Sequence, residues 1–122
     1  MPRVLDVGNC PPDHAAIKRM LIQHFGAEVV QTHGAHDTLE YLHEERFDLV
    51  LINRKLDQDY SDGVEILKLI KSDPKVADIP VMLVTNYQEH QRSAVAAGAL
   101  HGFGKLELQS TETHERLAAI LG

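Results

Sequence analysis

Five short apolar runs, each separated from the next by a segment of helical periodicity, leave a chain of 122 residues few architectures to adopt. The runs are Val4–Val7, Ala27–Gln31, Phe47–Ile52, Ile79–Val84 and Leu100–Phe103. The third and fourth are nearly unbroken in Leu, Ile and Val, the pattern of strands covered on both faces. Ile17, Met20, Leu21 and Phe25 then fall at helical spacing ahead of Gly26, with Asp13 expected as N-cap after Pro11-Pro12. His36 to Arg46 turns Leu39 and Leu42 inward, and Val64 to Ser72 repeats Val64, Leu67 and Ile70 before Asp73-Pro74 stops it. Gln88 to Ala97 is Ala-rich and closes at Gly98, while Thr111 to Leu121 presents Leu117, Ile120 and Leu121. Strands alternating with helices in this way demand right-handed βαβ crossovers and a parallel sheet with helices on both faces.

At this length the expected fold class is α/β, a flavodoxin-like (βα)5 three-layer sandwich with a parallel five-stranded sheet of order 2-1-3-4-5. No linker, repeat or low-complexity tract divides the chain, so residues 1–122 are expected to form one domain. Such sheets bind ligands at their C-terminal strand ends, here Gly8-Asn9-Cys10, Asn53-Arg54, Thr85-Asn86 and Gly104-Lys105. Charge narrows the partners. Lys plus Arg number 12 against 18 for Asp plus Glu, a net charge of −6, and no stretch gathers the cations into a stripe. That argues against nucleic acid and against an acidic membrane surface. Cys10 is the only cysteine and excludes an intrachain disulfide. No secretory h-region and no membrane-length apolar run is present, so a cytoplasmic location is expected.

The strand ends resemble those of the receiver domain of two-component response regulators. Phe47-Asp48-Leu49-Val50-Leu51-Ile52-Asn53 and Ile79-Pro80-Val81-Met82-Leu83-Val84-Thr85 match the family's third and fourth strands, and Ala97-Gly98-Ala99 followed by Lys105 matches the approach to the fifth. The resemblance implies an acidic pair holding Mg²⁺ at the first strand end, an Asp phosphoacceptor at the third, a Thr or Ser at the fourth and a Lys at the fifth. Those positions carry Asn9 and Cys10, Asn53, Thr85 and Lys105. An aspartyl phosphate needs a carboxylate oxygen, and Mg²⁺ needs hard anionic ligands. The expectation is therefore a degenerate phosphorylation pocket at Asn9, Cys10, Asn53, Thr85 and Lys105, with no catalytic residue, no enzymatic activity, no metal and no cofactor.

Lys105 is expected to hydrogen-bond the Asn53 carbonyl, with an anion pocket around Lys105 and Thr85 as the other reading. Leu106 stands where the family has Pro, which predicts a trans Lys105–Leu106 bond and a reshaped loop. The family's switch aromatic corresponds to Gly102, and strand alternation turns its neighbour Phe103 to the opposite face. The loop from Asn53 to Gly63 is longer than the family's. Its Asp57-Gln58-Asp59-Tyr60-Ser61-Asp62-Gly63 stretch misses calcium-loop spacing and reads as solvated. Eight dispersed histidines, including His33 and His36, lack metal-ligand spacing. Asp6, inside the central strand, shares a face with Val4 opposite Asn9, and the sequence names no partner for it.

The expected function is a phosphorylation-independent protein–protein interaction module in bacterial signal transduction. By the resemblance, its contact surface is the face of the fourth helix (Gln88 to Ala97), fifth strand (Leu100 to Gly104) and fifth helix (Thr111 to Leu121). A signalling partner or a second copy in a homodimer would dock there and supply any output. Two other readings stay open. One is a receiver using a displaced carboxylate, Asp57, Asp59 or Asp6; the other is a small-anion or redox sensor through Lys105, Thr85 and Cys10.

Overall fold

In the computed structural model, which describes residues 1–122, the elements run β1 (Arg3–Val7), α1 (Pro11–Phe25), β2 (Glu28–Thr32), α2 (Ala35–Glu44), β3 (Leu49–Asn53), α3 (Gly63–Ser72), β4 (Val81–Val84), α4 (Gln88–Ala96), β5 (Leu100–Phe103), a 3₁₀ turn at Lys105–Glu107, and α5 (Thr111–Leu121). The sheet order is β2-β1-β3-β4-β5 with every pairing parallel, the flavodoxin-like order expected. Alternation along the central strands sorts the core into two layers. Leu5, Val7, Val50, Ile52 and Leu83 pack under Leu42, Leu67, Ile70 and Ala94 of α2, α3 and α4. Val4, Leu49, Leu51, Met82 and Val84 pack under Ile17, Met20, Leu21 and Leu117 of α1 and α5. Each such aliphatic side chain contributes about 1.5–3 kcal/mol on full burial, which fixes the strand register. No helix is long and apolar enough to cross a membrane.

Two local departures from expectation shape the strand ends. Helix α1 begins at Pro11, with Cys10 rather than Asp13 as its N-cap. Proline is tolerated in the first turn because its missing N–H has no intrahelical partner there, so Pro11-Pro12 start the helix instead of preceding it. Asp13 thereby lies inside the first turn of α1. The second departure is in β5. Met82 pairs with Leu100 but Val84 with Phe103, so β5 spends one extra residue in a bulge around His101 and Gly102. Phe103 is buried on the α1/α5 side, and the bulge rather than simple alternation sets its phase. The Lys105–Leu106 bond is trans as expected, since the chain has no cis peptide, and the chain goes on through the 3₁₀ turn Lys105–Glu107.

Candidate functional site

At the C-terminal end of β1 the chain turns sharply through Gly8, whose φ of +74° is left-handed. A side chain there would be strained, and its Cβ would overlap Leu56 of the β3–α3 loop. The turn ends the strand alternation, so Asn9 does not lie opposite Asp6 as the sequence suggested. Its Nδ2 donates to Asp6 Oδ1 at 2.6 Å. The partner the sequence did not name is His14, on α1, whose Nδ1 lies 2.6 Å from Asp6 Oδ2. Asp6 and Asn9 are fully buried, and Asn9 Oδ1 has no hydrogen-bond partner. Burial pushes the Asp6 carboxyl above the usual carboxylate range; the contacts with His14 and Asn9 oppose the shift without cancelling it.

A second polar cluster lies beside the first. Asp13 Oδ2 accepts from Lys105 Nζ at 2.7 Å and from Cys10 Sγ at 3.1 Å. The Lys105 ammonium holds the Asp13 carboxyl below the usual range. This corrects the expectation for Lys105, which pairs with Asp13 and not with the Asn53 carbonyl. The reason is charge: a carboxylate is a stronger acceptor for an ammonium than an amide oxygen is. Sequence reasoning missed Asp13 because it placed that residue ahead of the helix.

Asn53 ends β3, and its Nδ2 donates to the Lys55 carbonyl at 2.7 Å and, at 3.4 Å, to that of Gly8. Asn53, Thr85 and Lys105 line one shallow cleft of about 230 Å³, together with Arg54, Lys55, Val84, Asn86 and Tyr87. Asn9 and Cys10 are not among its walls, so the five expected pocket residues divide between the cleft and the two α1 clusters. Thr85 Oγ1 accepts from the Tyr87 amide at 3.3 Å. The donors present do not suit a hard dication. At the strand ends the carboxylate of Asp13 is taken by Lys105, that of Asp6 is buried against His14 and Asn9, and that of Asp57 faces His33, which leaves two amides and a thiol.

The remaining carboxylates considered from sequence are dispersed. Asp57 is mostly buried, 3.5 Å from His33 Nδ1. Asp59 accepts from the Ser61 hydroxyl and amide, which hold its carboxyl low. Asp62 caps α3 by accepting from Val64 N at 3.0 Å. The loop is thus tied down at several points, with Leu56 buried, rather than merely solvated.

On the opposite side of the cleft, Gly102 is held by a buried glutamine that sequence reasoning also missed. Gln91 of α4 accepts from Gly102 N at 2.8 Å and donates to the carbonyls of Leu83 at 3.0 Å and Thr85 at 3.3 Å. A Cβ at Gly102 would overlap the Leu83 carbonyl oxygen. The only available signal was a polar residue on the inward stripe of an Ala-rich helix.

Residues 11–111 match the response regulator receiver domain family. The transcriptional regulatory protein ZraR of Klebsiella oxytoca is 33% identical over 116 residues, covering 86% of this chain and 25% of ZraR. The polar-differentiation response regulator DivK of Brucella anthropi is 33% identical over 69 residues, 57% of this chain and 54% of DivK. The chain therefore spans about a quarter of the length of ZraR. Among solved structures, the receiver domain of the DNA-binding response regulator MerR from Colwellia psychrerythraea superimposes with a TM-score of 0.80 at 24% identity, covering 98% of this chain and 97% of that one. The chemotaxis response regulator CheY4 of Vibrio cholerae gives 0.74 at 21% identity, covering 99% of both chains. The structural likenesses show the shared fold, and the family match over most of the sequence goes further: this chain belongs to the response regulator receiver domains of bacterial two-component signalling.

Proposed function

We propose that this receiver signals without Asp phosphotransfer, as a non-enzymatic protein–protein interaction module of the cytoplasm that needs no Mg²⁺. The observation that carries the reading is Asn53 at the end of β3, its carboxamide donating to the Lys55 carbonyl where phosphotransfer would need a free carboxylate. The other carboxylates make poor substitutes. Asp6 is sealed from solvent, Asp57 faces His33, and Asp59 is engaged by Ser61. The partner-binding surface is the α4–β5–α5 face, where Val95 and Leu100 are exposed at 45% and 47% and open to a signalling protein or a second copy of the chain. A direct test is intact-mass spectrometry after incubation with acetyl phosphate and Mg²⁺, alongside Asn53→Asp. No phosphoryl adduct is expected on the wild type. An adduct that maps to Asp57 or Asp59 would replace this reading with the displaced-acceptor one.

A further inference from the structure

We propose that the cleft between the β3–α3 and β4–α4 loops is a docking site for an acidic peptide segment of a partner protein, one carboxylate entering the cleft and a neighbouring large apolar side chain lying on its rim. This site is separate from the α4–β5–α5 face. Its charge is the first argument. The chain carries −6 overall, yet no acidic residue lines this cleft, and Arg54, Lys55 and Lys105 do. Lys105 is neutralised by Asp13, so the free positive charge is that of Arg54 and Lys55, neither of which makes an ion pair. The nearby acids are turned elsewhere. Asp62, across an isolated bridge from Lys55, caps α3; Asp59 holds Ser61; Asp57 faces His33. Two unpaired cations beside a concave surface attract an anion, and α4 starts at the same rim with no side-chain cap on its first turn.

The second argument separates a peptide from a free anion. Leu106 is 87% exposed and Tyr87 63%. Leu106 sits at the cleft because its amide donates to Asn86 Oδ1 at 3.1 Å, and Tyr87 is held edge-on to His90. An inorganic anion gains nothing from an exposed leucine and tyrosine, whereas an apolar side chain next to a carboxylate would cover both. At about 230 Å³ the cleft admits one side chain and is below the range of pockets that enclose a small organic ligand.

The test pans a random dodecapeptide phage library on the full chain, then measures fluorescence anisotropy of an enriched peptide. Three variants are compared with the wild type: Arg54→Glu/Lys55→Glu, Arg54→Gln/Lys55→Gln, and Val95→Arg on α4. Enriched sequences are expected to join Asp or Glu to Leu, Phe or Trp. Binding should fall at least about tenfold in the charge-reversed variant and by less in the glutamine variant. It should weaken as salt shortens the screening length and be lost when the peptide's acid becomes an amide. Val95→Arg should leave it unchanged, which keeps failure here distinct from failure of the α4–β5–α5 reading. The proposal is overturned if nothing is enriched, if enriched peptides lack an acid, or if the Arg54/Lys55 variants bind as tightly as the wild type. Full displacement of the peptide by millimolar inorganic phosphate would likewise overturn it in favour of a free-anion site.

Discussion

Asp6 and Gly102 both lie one residue short of the end of a strand, on opposite halves of the sheet, and both stand where a buried strand normally carries an apolar side chain. On the β1 half the chain keeps a polar side chain and surrounds it with His14 and Asn9, adjoining the Lys105–Asp13–Cys10 cluster. On the β5 half it removes the side chain altogether and lets Gln91 of α4 reach in to bond the buried main chain. One solution is ionisable and the other neutral. Both bind a helix to the sheet through hydrogen bonds that an apolar contact would not supply. They differ in what they make the fold depend on: the α1 attachment depends on protonation, and the α4 attachment does not. The neutral bonds also join α4 to β4 and β5 at several main-chain points.

The largest expected effect lies on the charged side. His14→Leu leaves Asp6 buried with only Asn9 as partner, and removing one member of such a pair should cost about 3 kcal/mol at neutral pH. The pH dependence identifies the cause. Because the folded-state value of Asp6 is raised, the folded chain holds more protons than the unfolded one between the ordinary carboxylate value and the raised value. Its contribution to stability therefore falls as pH rises through that window. His14→Leu should extend the fall, while at pH values below the ordinary carboxylate value Asp6 is neutral in both states and the penalty shrinks. Asp6→Val/His14→Leu should flatten the profile but recover only part of the loss, because it leaves the buried Asn9 amide without its acceptor, as followed by urea unfolding. A loss in the single variant that does not vary with pH would remove the distinction between the two halves.

Next in size is Gln91→Leu, which strands the Gly102 amide and removes the glutamine donor from the Thr85 and Leu83 carbonyls, the latter keeping its ladder bond to β5. Each buried unpaired group costs about 1–3 kcal/mol, and partial relaxation at the bulge should leave a net loss of about 2 kcal/mol. Unlike the His14 variant, this one should lose the same amount at acid and neutral pH. Amide exchange should report faster opening at Gly102 with β1 unchanged. Faster exchange spreading equally to α1 would mean that the two attachments act as one unit.

The five strands were legible because short, nearly unbroken apolar runs alternate with segments of helical period, and their order because a parallel sheet of this length takes few arrangements. The bulge in β5 was not, since Gly102 and Gly104 carry no side chains whose alternation could reveal a phase shift. The pairing of Asp6 with His14 depends on a left-handed turn at Gly8, which alters which residues share a face just past the last strand position. Asn53, Thr85 and Lys105 were placed together from sequence because each terminates a parallel strand. Asp13 was lost through an error of three residues in the start of α1. The two prolines were the available signal, read as the approach to the helix when they were its first turn.

The smallest effect tests the hinge between the two halves. Asp13→Asn removes the carboxylate that draws Lys105 toward α1, and because both side chains are about a third exposed the direct loss should stay under about 1 kcal/mol. The lowered folded-state value of Asp13 means that this contribution is present above the ordinary carboxylate value and disappears as pH falls through the folded value. Wild type and variant should therefore converge in stability at low pH, the opposite limb from the Asp6 slope. The position of Lys105 is the more telling readout. Without Asp13, its ammonium should turn into the cleft toward Asn53 and Thr85, detectable as a shift of the Lys105 side-chain NMR signal and of the Thr85 amide. If Lys105 does not move, Asp13 is not what holds it toward α1, and the division between an ionic α1 side and an open cleft rests on the backbone of the Lys105–Glu107 turn alone.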